Sequence, residues 1–341
     1  MNLKPVLREG RDDDANGFID LISACWAEYP GCIMDLDGEV PELRALASYY
    51  AAQGGALWAA ESGGTIAGMV ATRPLGDGAW ELCKMYAAAD QRGSGLAQSL
   101  CGAVESHARA AGGTRLKLWT DTRFDRAHRF YEKQSFVRAG PIRALGDISN
   151  SIEFAYAKPV AGVVVERLDA AASASAEGRL AIILRDCVED GASVSFLPPM
   201  DLATARAFWK RKSAEVAAGG RVLLAAWVDG TLAGTVMLDL AMPENQQHRA
   251  DLQKLLVQPT ARRRGAARLL MQHIEQHAHD AGRSLLVLDT RAGDPSESLY
   301  RDLCWQECGR IPDFAANGDG SMCDTVLFYK RILESRTAPN G

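Results

Sequence analysis

The sequence contains an internal repeat, and this repeat limits the folds that the chain can adopt. Residues 81–120 align without a gap with residues 251–290, and 14 of the 40 aligned positions are identical. Unrelated segments of such alanine-rich composition would share about three positions by residue frequency alone. A shift of 170 residues is too long for a solenoid, whose repeats span about 20–45 residues. The repeat therefore predicts two homologous domains, as does a length of 341 residues at roughly 100–200 residues per domain.

The segments around the repeat indicate where each domain begins and ends. Residues 57–70 and 223–236 both have the pattern of strand, glycine turn and strand, which is typical of a β-hairpin. We expect an N-terminal domain over 1–158, a linker over 159–162, a C-terminal domain over 163–332 and a flexible tail over 333–341. Each domain is predicted to run strand, helices, hairpin, strand, loop, helix, strand, helix, hairpin. This order indicates an α/β (mixed α+β) fold with a mixed sheet and helices on it.

The composition excludes several classes of partner. The formal net charge of −5 argues against nucleic acid or an anionic membrane as the main partner. No apolar run approaches the ~20 residues that cross a bilayer, and the N-terminus has no apolar core of a secretory signal. The eight cysteines are scattered without a C-x-x-C pair, so neither a disulfide framework nor a zinc site is indicated. We expect a cytoplasmic protein with reduced thiols.

Three histidines on the helix of the second repeat are candidate metal ligands. His273 and His277 have the i, i+4 spacing that can hold a metal ion, and His279 follows. No acidic third ligand is evident, and the H-E-x-x-H motif is absent. His107 recurs at His277, which favours a shared packing or capping role. We therefore expect no metal.

A short loop rich in glycine and arginine occupies the same place in both repeats. Each loop follows a predicted strand and opens a long helix, whose first N–H groups and positive dipole end attract anions. Small residues let a phosphate approach that backbone. Neither loop has the third glycine of the dinucleotide fingerprint G-x-G-x-x-G. The predicted pyrophosphate-binding positions are Arg92, Gly93, Ser94, Gly95, Leu96 and Ala97 in the first half, and Arg262, Arg263, Arg264, Gly265, Ala266 and Ala267 in the second.

With these loops, both halves resemble the GCN5-related N-acetyltransferase (GNAT) superfamily, whose acetyl-CoA motif is (Q/R)-x-x-G-x-(G/A). The resemblance implies a mostly antiparallel sheet with a central splayed strand pair, and acetyl-CoA as co-substrate without a metal. It also implies that the strand before each loop hydrogen-bonds the pantetheine arm through its backbone. The corresponding positions are Met85, Tyr86 and Ala87 in the first half, and Leu255, Leu256 and Val257 in the second.

The second half resembles one branch more closely, the tabtoxin-resistance acetyltransferases. This closer likeness rests on the segments G191-A-S-V-S-F, R249-A-D-L-Q-K-L-L-V-Q-P, L288-D-T-R-A-G and V326-L-F-Y-K. It covers the second half only.

Acetyl transfer to an amine requires an acid and a base, and the repeat aligns candidates for both. The resemblance implies that a tyrosine protonates the departing CoA thiolate, and Tyr131 and Tyr300 occupy matching positions. The family's asparagine seven residues earlier is missing in both halves. For the base, Glu81 and Asp251 share one repeat position, and Asp289 on the next strand is a possible partner of Asp251. Buried tyrosines and a merely structural acid are the alternatives.

These features predict an acetyl-CoA-dependent N-acetyltransferase that acts by direct transfer on a primary amine of a small molecule. The second-half likeness favours an amino-acid-like metabolite, antibiotic or toxin as acceptor. One alternative is acetylation of proteins or peptides, since residues 31–53 and 196–219 could form either a pocket or a groove. Another is that one domain is a non-catalytic acyl-CoA-binding or dimerisation module. A monomer with pseudo-dimeric domains and a homodimer both remain open.

Overall fold

The computed structural model describes residues 4–332, and the chain divides into two compact units between Ala161 and Gly162. The last strand of the first unit ends at Pro159, and the first strand of the second unit begins at Val163. The connection is therefore residues 160–162, slightly shorter than the expected linker. The expected tail over 333–341 lies outside the described residues. Among the described residues, no helix is long and apolar enough to cross a membrane.

The first unit is a seven-stranded sheet with helices packed on it. Its strands are β1 (Val6–Glu9), β2 (Ala56–Ser62), β3 (Thr65–Gly76), β4 (Ala79–Ala87), β5 (Arg115–Asp121), β6 (Val137–Ala144) and β7 (Ile152–Pro159); its helices are α1 (Ala15–Trp26), α2 (Leu46–Ala52), α3 (Leu96–Ala110) and α4 (Asp125–Lys133). Short 3₁₀ turns lie at 12–14, 41–45 and 89–91. The strand order is β1-β2-β3-β4-β5-β7-β6, and only the β4–β5 pair is parallel.

The second unit has the same order of elements. Its strands are β8 (Val163–Arg167), β9 (Arg221–Val228), β10 (Thr231–Asp239), β11 (Arg249–Val257), β12 (Leu285–Arg291), β13 (Gln306–Ala316) and β14 (Met322–Arg331); its helices are α5 (Ala170–Glu189), α6 (Leu202–Ala217), α7 (Ala266–Asp280) and α8 (Pro295–Asp302). Its sheet order is β13-β14-β12-β11-β10-β9-β8, again with one parallel pair, β11–β12. Two mixed sheets with flanking helices confirm the predicted fold class.

The two predicted hairpins form because each turn suits the twist of its strands. The β2–β3 turn places Gly63 and Gly64 at φ 59° and 81°, and the β9–β10 turn places Asp229 and Gly230 at φ 47° and 83°. Two successive left-handed residues make the tight turn that matches twisted antiparallel strands, and glycine or aspartate adopts it readily. The hairpins place β3 and β10 beside the central strands of the two sheets.

The helix after each loop forms a large part of the core. Leu96, Leu100, Cys101, Val104 and Ala108 are the buried residues of α3, and their counterparts Ala266, Leu270, Met271, Ile274 and Ala278 are the buried residues of α7. This spacing makes one apolar stripe on a helix. The opposite sheet faces carry α1 and α2 in the first unit and α5 and α6 in the second. The central strands are therefore covered on both faces.

The central parallel strands separate after three residues. Only Ala79–Glu81 of β4 pair with β5, and only Arg249–Asp251 of β11 pair with β12. Beyond these residues each central strand carries a bulge, with Lys84 at φ 48° and Lys254 at φ 53°, and its register against the preceding strand shifts there. A bulge bends its strand and increases the local twist. The expected splay of the central strand pair is thus present in both sheets.

Candidate functional site

The splay leaves a backbone edge open on each central strand. Between the bulge and the loop, Met85, Tyr86 and Ala87 on β4, and Leu255, Leu256 and Val257 on β11, make no ladder pairs with the strand across the gap. These are the positions predicted to contact a pantetheine arm. Cys25 on α1 lies 3.7 Å from the carbonyl oxygen of Ala87, and Cys187 on α5 lies 3.5 Å from that of Val257. The two units therefore present the same open edge with a thiol near its end.

Both predicted phosphate loops lead into a helix through a left-handed glycine. Gly95 has φ 90° and Gly265 has φ 87°, and each is the residue before the first turn of α3 or α7. Gly93 and its counterpart Arg263 are also left-handed, at φ 78° and 62°. Within residues 4–332, the N–H groups of these four residues make no internal hydrogen bond. Unpaired N–H groups at a helix N-terminus can bind the oxygens of a phosphate.

The first arginine of each loop is tied to the end of the first helix. Arg92 pairs with Glu28, and Arg262 Nη1 lies 2.5 Å from Asp190 Oδ2. These arginines attach the loops to the ends of α1 and α5. The second loop has two more arginines, Arg263 and Arg264, where the first has glycine and serine. The second loop is therefore the more cationic of the two, although Arg264 also pairs with an aspartate at 2.6 Å.

The two candidate bases occupy the same sheet position but have different neighbours. Glu81 is buried, 7% exposed, and its Oε2 accepts a hydrogen bond of 2.7 Å from Nε of Arg73 on β3. Arg73 also donates to Gln53 at 2.9 Å. The carboxylate of the first unit is therefore held in an ion pair with Arg73.

Asp251 has no such cation directly opposite it. The residue across the ladder is Asp239, which occupies the place of Arg73. The charge of Asp239 is neutralised by Arg221, whose Nη2 lies 2.6 Å from Asp239 Oδ2. The nearest cation of Asp251 is Arg249 at 3.4 Å, and Asp251 Oδ1 is buried without a hydrogen-bond partner.

These surroundings change the acidity of Asp251. Burial raises the pKa of Asp251 above its ordinary value, and Arg249 partly opposes the shift. The carboxylates of Asp239 and Asp289 add to the increase in this pKa. A carboxylate with a raised pKa is a better general base near neutral pH than an ordinary aspartate.

Asp289, the predicted partner of Asp251, lies on β12 two residues beyond Val287, which pairs with Asp251. Alternate residues of a strand share a face, so Asp251 and Asp289 point to the same side of the sheet. Asp289 is exposed, and its Oδ2 accepts a hydrogen bond of 3.3 Å from Thr325. The first unit has Trp119 at this position, covered by the guanidinium of Arg143 at 4.0 Å from the ring centroid. The two units therefore differ at this position of β5 and β12, next to the splay.

Tyr131 and Tyr300 are buried on α4 and α8, at 6% and 5% exposure. Burial raises the pKa of both phenols, so both are protonated at neutral pH. Within the described residues neither hydroxyl group forms a hydrogen bond, whereas the rings pack against aromatic neighbours such as Phe136 and Trp305. Asp289 contributes to the shift at Tyr300, and Cys83 and Tyr86 of β4 contribute at Tyr131. Both phenols thus lie near their splays and can donate a proton.

A cavity of about 470 Å³ lies in the second unit. It is lined by the segment between α5 and α6 from Gly191 to Pro198, by Arg291 and Ala292 after β12, and by the β13–β14 turn at 316–319. Gly191 follows Asp190, which pairs with the phosphate loop. The cavity is large enough for a small molecule, and its lining includes no residue of the second loop.

The candidate metal ligands do not form a site. His107 packs against Trp58 and Trp80, with ring centroids 5.4 and 5.1 Å apart. Burial lowers the pKa of its counterpart His277. In the part of the chain that the structure describes, no group of three or more His, Cys, Asp or Glu side chains is placed to hold a metal ion.

Sequence reasoning missed the residues that distinguish the two splays. Arg73 and Asp239 lie three residues beyond the hairpin segments that the repeat aligns, so extending that alignment pairs a cation with an anion. Arg221 and Lys254 were not singled out either. No sequence pattern indicates a role for Arg221, because its contact with Asp239 depends on pairing between β9 and β10.

Comparison with known proteins identifies the family. The model of the acetyltransferase (GNAT) family matches residues 18–136 and again residues 189–304, together more than half of the chain. Several solved structures are similar to this chain. They include yncA from Salmonella typhimurium with its cofactor acetyl-CoA (15% identity, 53% of this chain and 99% of that chain, TM-score 0.43) and an N-acetyltransferase from Staphylococcus aureus Mu50 (15%, 51% and 100%, 0.43). A third is the ribosomal-protein-alanine N-acetyltransferase from Brucella melitensis (22%, 49% and 99%, 0.41).

Each family match begins in the first helix of one unit and includes its splayed strand, its loop and its candidate tyrosine. The chain belongs to the acetyltransferase (GNAT) family, carries two GNAT domains in tandem and is an N-acetyltransferase.

Proposed function

We propose that the second unit transfers an acetyl group from acetyl-CoA directly to the primary amine of a small amino-acid-like molecule. The observation that carries this proposal is that one carboxylate oxygen of Asp251 has no hydrogen-bond partner. Its Oδ1 is buried without a partner beside the splay, whereas the equivalent Glu81 is paired with Arg73. A base must have a free lone pair within reach of the amine. Of the two candidate bases, Asp251 has the longer ion pair, 3.4 Å to Arg249 against 2.7 Å between Glu81 and Arg73, so its lone pairs are the less tightly held.

The residues of both loops fit acetyl-CoA as co-substrate. The unpaired N–H groups of Gly93 and Gly95, and of Arg263 and Gly265, suit a pyrophosphate, and the open backbone edge before each loop suits the amides of a pantetheine arm. When bound, acetyl-CoA supplies the acetyl group as an activated thioester. The additional arginines of the second loop favour tighter binding there.

Three side chains of the second unit then act on the acceptor and the leaving group. Two of them transfer protons, and one attracts the cationic acceptor. Asp251 takes a proton from the ammonium group, directly or through a water molecule, because its raised pKa favours protonation. Asp289 provides a second negative charge on the same face to attract the cationic acceptor. Tyr300, protonated at neutral pH, donates a proton to the sulfur as the thiolate leaves.

The first unit is better suited to binding than to turnover. Glu81 is held by Arg73, and Trp119 replaces the second carboxylate. The loop of this unit nevertheless keeps its glycines and unpaired N–H groups. We therefore propose that the first unit is a non-catalytic acyl-CoA-binding domain, which was one of the alternatives from the sequence.

The acceptor class rests on the second-half likeness to tabtoxin-resistance acetyltransferases. That likeness favours an amino-acid-like metabolite, antibiotic or toxin over a protein N-terminus. Acetylation of proteins remains the competing function, and mass spectrometry of lysate proteins incubated with acetyl-CoA tests it.

The experiment for the proposed function measures release of free CoA over a panel of amines with Tyr300→Phe and its matched control Tyr131→Phe. Both changes remove one hydroxyl group from a buried ring and leave the ring packing in place. We expect Tyr300→Phe to lower kcat by about 10²–10⁴-fold, the usual contribution of a general acid, and Tyr131→Phe to leave it within about twofold. Equal losses in the two variants, or turnover that depends on Tyr131 alone, would contradict the assignment to the second unit.

A further inference from the structure

Lys254 is a cation beside the second splay that no carboxylate neutralises. It lies in the bulge of β11, half-buried, with its Nζ 3.4 Å from the hydroxyl oxygen of Ser195 and 5.8 Å from the ring centroid of Phe208 on α6. Among residues 4–332 it has no ion-pair partner within 4 Å. Its counterpart in the first unit, Lys84, is paired with Glu42 at 3.3 Å. The two bulge lysines therefore differ, since Lys84 has a carboxylate partner and Lys254 has none among the described residues.

The ammonium group of Lys254 is poorly satisfied as it stands. It has three donor hydrogens, and its one hydrogen bond to the described part of the chain is the long contact with Ser195. Burial lowers the pKa of Lys254, and the positive charges of Lys212 and Arg221 lower it further, against the opposing effect of Asp289. A partly buried cation among other cations is stabilised by a bound anion.

Two carboxylates lie near Lys254 in the second sheet. Asp251 is three residues before Lys254 on one strand, and at about 3.3 Å per residue their Cα atoms are separated by at most about 10 Å. Asp289 is close enough to raise the pKa of Lys254. The site thus offers carboxylates toward one end and an ammonium group toward the other. A zwitterion of a few carbon atoms complements such an arrangement.

We propose that Lys254 binds the carboxylate of the acceptor while the acceptor's amine lies toward Asp251 and Asp289. The substrate class is therefore an amino acid or a close derivative with a free carboxylate, rather than a polyamine or another purely cationic amine. This inference rests on the proposed function of the second unit. Lys254 is a specificity residue in this account and takes no part in proton transfer.

The test compares amino acids with their matched carboxamides, which keep the amine and lose the negative charge. Binding is measured by calorimetry on the full chain saturated with CoA, and acetyl transfer is measured in parallel with acetyl-CoA. The variants are Lys254→Met, which removes the charge at similar length, and Lys254→Arg, which retains it. Lys84→Met is the matched control in the first unit.

We expect at least one amino acid to bind the wild-type protein tenfold or more tightly than its carboxamide. Lys254→Met should remove this preference by raising KM for the acid at least tenfold with kcat within about twofold. Lys254→Arg should restore part of the preference, and Lys84→Met should leave it intact. Melting curves establish that each variant is folded, and the acid-to-amide ratio of the wild type decides the question even if Lys254→Met does not fold.

Two results would overturn the role of Lys254. One is acetylation of carboxamides as efficiently as of the acids, and the other is absence of binding by every acid in the panel. Binding with the expected preference but no acetyl transfer would instead refute the proposed function and leave the role of Lys254 supported.

Discussion

Asp251 and Glu81 occupy one position of the repeat, yet we expect their amide substitutions to have opposite effects. Asp251→Asn removes the proposed base, so kcat of acetyl transfer should fall by about 10²–10⁴-fold. Glu81→Gln breaks the ion pair with Arg73. Because Glu81 is 7% exposed while the Arg73 side chain is 35% exposed, we expect a loss of roughly 1–3 kcal/mol in the free energy of unfolding. Its effect on kcat should be within about twofold.

The stability of Asp251→Asn follows from the sign of the pKa shift. The pKa of Asp251 is raised in the folded state, so this residue binds more protons in the folded than in the unfolded chain between its unfolded-state pKa of about 4 and its folded-state pKa. This residue therefore reduces stability as pH rises from the unfolded-state pKa through the folded-state pKa. Asparagine has no such charge, so Asp251→Asn should be at least as stable as the wild type at pH 7. The advantage should disappear below about pH 4.

The assay combines release of free CoA with urea denaturation of the full chain, and both variants are measured at pH 4 and pH 7. Glu275→Gln, which alters a carboxylate that binds Lys330 at 2.7 Å away from the splay, controls for loss of an ion pair elsewhere in the second unit. The reasoning is refuted if Glu81→Gln abolishes turnover with stability unchanged. It is equally refuted if Asp251→Asn retains turnover within about threefold of the wild type.

Three further predictions test the loops, the pH dependence and the core. Titration of acetyl-CoA into the full chain should give a stoichiometry near two, with the weaker site lost in Gly95→Val; a value near one would exclude binding by the first unit. The kcat of the wild type should fall as pH is lowered through a pKa above the ordinary value of about 4, because Asp251 must be ionised to act as base; a profile without this acidic limb would contradict its role. Leu270→Ala and Leu100→Ala each remove a fully buried side chain, so each should reduce the unfolding free energy of its own unit by about 2–5 kcal/mol in denaturant titrations. A loss below about 1 kcal/mol would be inconsistent with the packing described.

Features of the chain that depend on local order could be predicted from the sequence. The duplication, the hairpins and the loop-to-helix junctions depend on periodic apolar residues and on glycines at turns. Gly95 and Gly265 are left-handed residues at the starts of α3 and α7, where the loop motif places them. Such patterns hold in any fold that keeps the strand and the helix.

Only the tertiary structure determines which charged groups surround each copy of the site. Arg73, the partner of Glu81, and Asp239, the residue opposite Asp251, lie on neighbouring strands, and the partners of Lys84 and Lys254 lie in the segments before and between helices. These contacts depend on how the strands and helices pack and on strand register, which the bulges shift. Glu81 and Asp251 look interchangeable in the sequence because charge type and spacing are local properties. Whether a charge is neutralised depends on the side chains that folding brings within about 4 Å of it.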